Sequence, residues 1–219
     1  MMRTFKLLAL LLATAMLATG CATQRTPYDY AEFKQARPAS ILVLPPLNSS
    51  PEVGATSGML SQLTYPLAES GYYVIPVALA AETFKQNGLA SAGDIHNVPP
   101  ARLREIFGAD AALYVEVKAY GTSYQVISSN TVVTAEAKLL DLRSAKVLWQ
   151  GTATASSAEN QQQGNGLIGM LVSAVINQIS DTLSDASFKI AGMTSQRLLM
   201  AGRANGMLYG PRSPQYQKD

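Results

Sequence analysis

The apolar positions of this chain change their period partway along its length. Ser40-Ile41-Leu42-Val43-Leu44-Pro45-Pro46 is a continuous apolar run closed by prolines, the pattern of a strand covered on both faces. From about Thr56 to Glu69, Met59, Leu60, Leu63 and Leu67 recur at helical spacing, with Pro66 placed to end or bend that helix. Gly71 to Val77 reads as a second strand. The stretch between the two strands leaves room for one helix, so the pair predicts a βαβ unit with parallel strands. A short helix over Ala78 to Asn87 is stopped by Gly88, and Pro99-Pro100 opens another with Leu103, Ile106 and Phe107 inward and Gly108 at its end.

The period then becomes two. Leu113, Val115 and Val117 alternate with Tyr114, Glu116 and Lys118, and similar alternation runs from Thr131 to Leu142 and from Val147 to Ala155. Three such segments in succession predict an antiparallel meander with one face buried, its Asp141 to Lys146 link forming a tight hairpin just before Trp149. After the polar hinge Gln161 to Gly166, a helix carries Leu167, Ile168, Met170, Leu171, Val172, Ala174, Val175, Ile176 and Ile179. It is apolar around most of its girth and too short to span a bilayer, so either this domain or another chain must cover its second side. A further helix is expected around Ala186 to Ala201, followed by an irregular tail rich in Gly and Pro. The fold class predicted is α/β (α+β): a mixed sheet with a βαβ unit, then an antiparallel meander, flanked by helices, with a helical C-terminal region.

The first twenty residues stand apart from this patterning. Arg3 and Lys6 precede an apolar run from Leu7 to Leu17, and Ala18, Thr19 and Gly20 lead into Cys21, the one cysteine of the chain. This layout resembles a bacterial lipoprotein signal, which implies lipidation at Cys21 after removal of residues 1–20. Ala18 stands where a larger aliphatic residue is commoner. Ala22 after the cysteine resembles the sorting pattern of outer-membrane lipoproteins. Residues 21–39 then read as a lipidated tether with a reach of roughly 60 Å, 40–202 as one periplasmic domain and 203–219 as the tail. Tyr28, Tyr30 and Phe33 interrupt the tether's polarity and are expected to pack back on the domain, the alternative being a partner-docking motif.

Charge and composition narrow the chemistry. Loss of Arg3 and Lys6 with the signal leaves 15 basic against 15 acidic side chains, and no basic run supports nucleic-acid binding. A cysteine taken up by lipid leaves no disulfide, and one histidine, His96, leaves no usual zinc set and no Cys-His nucleophile. Gly164-Asn165-Gly166-Leu167-Ile168-Gly169 has the spacing of a dinucleotide loop, but a glutamine run rather than a strand precedes it; these glycines read as hinge and helix start. No catalytic, metal or cofactor site is expected, and the chain is read as not an enzyme.

The lipobox at Cys21, the strand Ile41-Leu42-Val43-Leu44-Pro45-Pro46, the Asp141 to Trp149 hairpin and the late Tyr209-Gly210-Pro211-Arg212-Ser213-Pro214 tail together resemble a bacterial lipoprotein family of unknown function that includes a genome-derived neisserial antigen. The resemblance implies a fold similar to the amino-terminal domain of TolB. The hairpin also resembles one in curli-secretion lipoproteins, with Ala145 where a turn glycine is common. What it implies for function is an outer-membrane lipoprotein on the periplasmic face, a non-enzymatic adaptor or accessory subunit of an envelope transport or assembly complex. The expected partners are the membrane, envelope proteins and a second copy of the chain. The expected interface comprises Leu167, Ile168, Leu171, Val172, Val175 and Ile179 on the late helix, and Leu208, Tyr209 and Pro211 in the tail. The rival reading is a binding module for a small lipid or glycan, with Tyr72, Tyr73, Tyr114, Tyr120 and Tyr124 lining its site.

Overall fold

The computed structural model describes residues 27–124, 129–161 and 183–218. The period-two segments become the three long strands β4 (Ala111–Tyr124), β5 (Ser129–Asp141) and β6 (Val147–Ser156), paired antiparallel in register Leu113 to Leu139 and Leu139 to Trp149. The apolar run before them forms β1 (Ser40–Val43), followed by the short β2 (Leu47–Asn48) and β3 (Tyr73–Val74). β1 lies parallel to both β3 and β4, so the sheet order is β3-β1-β4-β5-β6, with β2 joining β4 in parallel. Helix α1 (Ala31–Ala36) precedes β1, and α2 (Ala55–Glu69) makes the predicted βαβ crossover. Helices α3 (Val77–Gln86), α4 (Ala92–His96) and α5 (Pro100–Phe107) fill the return to β4. The short α6 (Ala158–Gln161) follows β6, and α7 (Leu183–Leu199) precedes the tail.

β1 is covered on both faces, as its unbroken apolar sequence requires. Ile41 and Val43 join Leu113, Val115 and Leu139 beneath α2 and α7, whose Met59, Leu63, Leu67, Ile190 and Leu198 complete that core. Leu42 and Leu44 face the other way and pack with Ala112 and Leu142 beneath Phe84, Ile95 and Leu103 of α3, α4 and α5. Ile106, expected inward, is instead 39% exposed, because α5 buries only the stripe through Leu103.

Pro66 does not end its helix. α2 runs through it to Glu69, although proline has no N–H to give the Gln62 carbonyl one turn earlier. Ser195 of α7, fully buried, donates its hydroxyl to that carbonyl at 2.8 Å. The helices approach closely there, since a Cβ on Gly192 would lie 3.0 Å from the Gln62 side-chain oxygen.

Both ends of the domain are tied to its body. Tyr28, Tyr30 and Phe33 contact one another in succession, tilted and then edge-to-face, with ring centroids 5.0 and 6.4 Å apart, and Phe33 is 3% exposed. The Tyr28 N–H donates to the Asn205 side chain at 3.1 Å and the Tyr30 hydroxyl donates to the Gly206 carbonyl at 2.5 Å. The three aromatics thus pack back on the domain, and the chain is held from Tyr28 rather than from Ser40. The tail has no helix or strand among its described residues, but it is bonded: Gly210 N–H donates to Ser70 O, and Arg212 N–H to Gly71 O. A Cβ on Gly71 (φ +93°) would sit 2.4 Å from the Ser213 nitrogen, so only glycine admits this approach.

Candidate functional site

Two concave surfaces emerge from this architecture. The first is the face of the meander opposite α2 and α7. Helices α3, α4 and α5 cover only its β1 end, so the side chains that alternate outward along β4, β5 and β6 line an open trough of about 600 Å³. Lys118 bridges two carboxylates there, 2.7 Å from Glu116 and 3.5 Å from Glu136. The hydrogen bonds from Lys118 and from the Ser49 hydroxyl, the latter at 2.6 Å, hold the Glu116 carboxyl below its ordinary pKa. Thr134 and Thr154 are bonded across the strands at 3.0 Å. At the covered end, His96 closes α4 and its Nε2 lies 2.9 Å from the Pro45 carbonyl, with its ring edge-on to Tyr114 at 5.2 Å. Burial lowers the His96 pKa and raises that of Tyr114, so both are neutral near pH 7. The Lys138 ammonium sits 5.5 Å over the Tyr114 ring. The arrangement offers a rigid, hydrogen-bonding surface of alternating charge. Among the described residues no cluster of His, Cys, Asp or Glu has metal-holding geometry.

The second concavity is a groove of about 210 Å³ between α1 and the tail. Phe33, Tyr72, Leu208, Tyr209 and Tyr216 give it an apolar, aromatic wall, and Lys34 and Arg37 line it from the α1 side. The Tyr72 hydroxyl donates to the Leu208 carbonyl at 2.6 Å, which fixes the tail against β3. Gly202 (φ +83°) makes room for the Tyr209 ring, whose hydroxyl would lie 2.4 Å from a Cβ placed there.

The residues expected to form an interface divide between the described and undescribed parts of the chain. Cys21, Leu167, Ile168, Leu171, Val172, Val175 and Ile179 lie outside the described residues, as does the Gly164 to Gly169 spacing. Leu208 packs half-buried against the core and Tyr209 lines the groove, while Pro211 is exposed beside the backbone bond from Arg212. Of the five tyrosines expected to share one ligand site, the side chain of Tyr124 lies outside what the structure describes, and the other four do not meet. Tyr72 is under the tail, Tyr73 is exposed beneath the Arg212 guanidinium at 5.0 Å, Tyr114 is in the trough, and Tyr120 is buried over Gly58 on the opposite face. Lys34, Arg37 and Tyr216 are groove residues that the sequence alone did not single out, whereas Phe33 entered with Tyr28 and Tyr30 as a segment expected to pack on the domain, with partner docking as the alternative. The signal for them was the aromatic spacing at Tyr28, Tyr30 and Phe33, which marks a packed segment inside a polar stretch.

The family that the sequence resembles is also the one that the comparisons return. The profile of a family described as "Putative lipoprotein GNA1162-like" matches residues 28–212. A "Putative lipoprotein" of Neisseria meningitidis serogroup B is 49% identical over 208 residues, covering 94% of this chain and 96% of the relative. The crystal structure of lipoprotein GNA1162 from Neisseria meningitidis is 55% identical, covers 66% of this chain and 100% of its own, and superposes with a TM-score of 0.53.

Proposed function

The chain belongs to the GNA1162-like lipoprotein family, and from that membership we propose that it is anchored through Cys21 to the periplasmic face of the outer membrane and acts there as a non-enzymatic adaptor in an envelope transport or assembly complex. The observation that carries this reading is the open face of the meander. A sheet held rigid by two cores presents Glu136, Lys138, Gln150 and Thr152 outward in two facing rows, in register Glu136 to Thr152 and Lys138 to Gln150. Alternating charge of this kind favours selective, reversible docking of a protein with the complementary pattern more than it favours tight burial. The sequence supports the non-enzymatic part, since one histidine and a lipid-bearing cysteine leave little for nucleophilic or acid–base work.

The test is co-purification from solubilised envelopes. Exchanging the two signs with Glu136→Lys and Lys138→Glu should lower the yield of copurifying envelope proteins about tenfold or more, by turning attraction into repulsion. The melting temperature should stay within about 2 °C, because both side chains are exposed. Unchanged copurification from a folded variant would remove this face from the account.

A further inference from the structure

We propose that the groove between α1 and the C-terminal tail receives an anionic phospholipid of the membrane that anchors the chain. This inference rests on the lipid anchor and not on the adaptor role.

The length of chain between anchor and domain places this surface near the bilayer. Because Tyr28 is already bonded to Asn205, the distance from Cys21 to the domain is bounded by the seven residues Cys21 to Pro27, at most roughly 25 Å fully extended. The rings of Tyr28, Tyr30 and Phe33 follow one another at 5.0 and 6.4 Å, and Phe33 is itself a groove wall. The groove therefore opens beside the root of the Cys21 to Pro27 segment, where lipid headgroups are within reach.

Its chemistry fits such a ligand. Tyr72, Tyr209 and Tyr216 supply ring surface with hydroxyl ends, the residue type suited to the boundary between acyl chains and headgroups. Lys34 and Arg37, both exposed, complement a phosphodiester. The nearest acidic side chains on α1 and its approach are occupied: Glu32 pairs with Lys146 at 2.7 Å, and Asp29 accepts the Ala31 N–H at 2.9 Å. The backbone also carries strain here. Arg37 (φ +45°) and Gln217 (φ +62°) are two of the four non-glycine residues with left-handed φ among the described residues, and both line this groove. Glycine would adopt either conformation at less cost, yet side chains are present at both positions.

The test uses the lipidated full-length chain in phosphatidylethanolamine vesicles containing either a photoactivatable phosphatidylglycerol or a photoactivatable phosphatidylcholine, with adducts mapped by mass spectrometry. The phosphatidylglycerol probe should label peptides bearing Phe33 to Pro38 and Leu208 to Gln217. Each basic side chain near an anionic surface is worth about a fivefold change in binding, so Lys34→Glu with Arg37→Glu should weaken that labelling by at least about 25-fold. Arg37→Gly, which relaxes the left-handed backbone, should leave the fold intact and still reduce labelling about fivefold. Equal labelling by phosphatidylcholine, no adducts on these peptides, or labelling unchanged by the folded charge variants would overturn the proposal. Protein contacts made from the open sheet face should persist in all of these variants, so failure here is separable from failure of the adaptor reading.

Discussion

Asp110 shows how much one side chain organises. One carboxylate oxygen accepts the Ala39 N–H, the Ser40 N–H and the Ser40 hydroxyl at 3.0 to 3.2 Å, and the other faces Arg143 at 3.0 Å. Burial alone would raise its pKa, but these donors outweigh burial and hold it below the ordinary carboxylate value. Asp110→Asn should cost about 2 kcal/mol near neutral pH. Because the folded group is the stronger acid, its stabilisation is complete above the unfolded value of about 3.9 and fades as pH falls through the lower folded value. The gap between denaturant melts of the two proteins should therefore begin to narrow below about pH 4 and close only below the folded value; a pH-independent gap would contradict the assignment. Ala145 is a second residue-scale case, held at φ +58° in the hairpin by its N–H to the Asp141 carbonyl and by the Asp141 clasp on Ser144. The turn keeps its left-handed residue even without the glycine found in similar hairpins. Relief of about 1–2 kcal/mol of crowding, set against about 0.4–1 kcal/mol of added unfolded-state entropy, makes Ala145→Gly stabilising. The melting temperature should rise by roughly 2 to 4 °C; a fall would mean that the crowding is absent.

At the scale of elements, the seam between α2 and α7 hangs on a donor lent across it. Removing the Ser195 hydroxyl leaves the Gln62 carbonyl without a donor, so Ser195→Ala should cost about 1–2 kcal/mol. Pro66→Ala restores an N–H to the same carbonyl, so in that background the Ser195→Ala cost should fall to near zero, a coupling a double-mutant cycle reads directly. Additive costs would show that Ser195 acts only by packing. Sequence periodicity located most of these elements because burial imposes it: β1 lies between two cores, the meander alternates, and α7 stops near its expected end. What periodicity could not reveal were features set by distant partners. Pro66 reads locally as a helix end, and the Ser195 hydroxyl that rescues it lies far along the chain. Likewise α1 hides in a polar stretch because only Phe33 is buried from it, too few positions to make a pattern.

For the whole molecule, the decisive feature is how its two ends close on each other. The tail lies over the N-terminal aromatics, bonded to Tyr28 and Tyr30 through Asn205 and Gly206 and to Tyr72 through Leu208, while Trp149 donates its indole N–H to the Asn205 carbonyl at 3.0 Å. From Cys21 to Tyr28 the chain can therefore span at most roughly 25 Å, where the sequence alone predicts a tether of roughly 60 Å. The candidate surfaces were only partly legible in sequence. Alternating Glu and Lys on the meander read as ordinary solvated strand positions, and they become a candidate surface only once the helices are seen to stop short of them. The groove could not be read because its walls come from opposite ends of the chain. The most direct measurement is in-cell photo-crosslinking from Thr152 on the open sheet face, with Val53 on the loop between β2 and α2, 92% exposed, as the comparison position. Crosslinks to envelope proteins from Thr152 but not from Val53, abolished by the Glu136 and Lys138 sign exchange, are the result the adaptor account predicts. Crosslinks from Thr152 only to a second copy or to lipid, or none above the Val53 level, would contradict it.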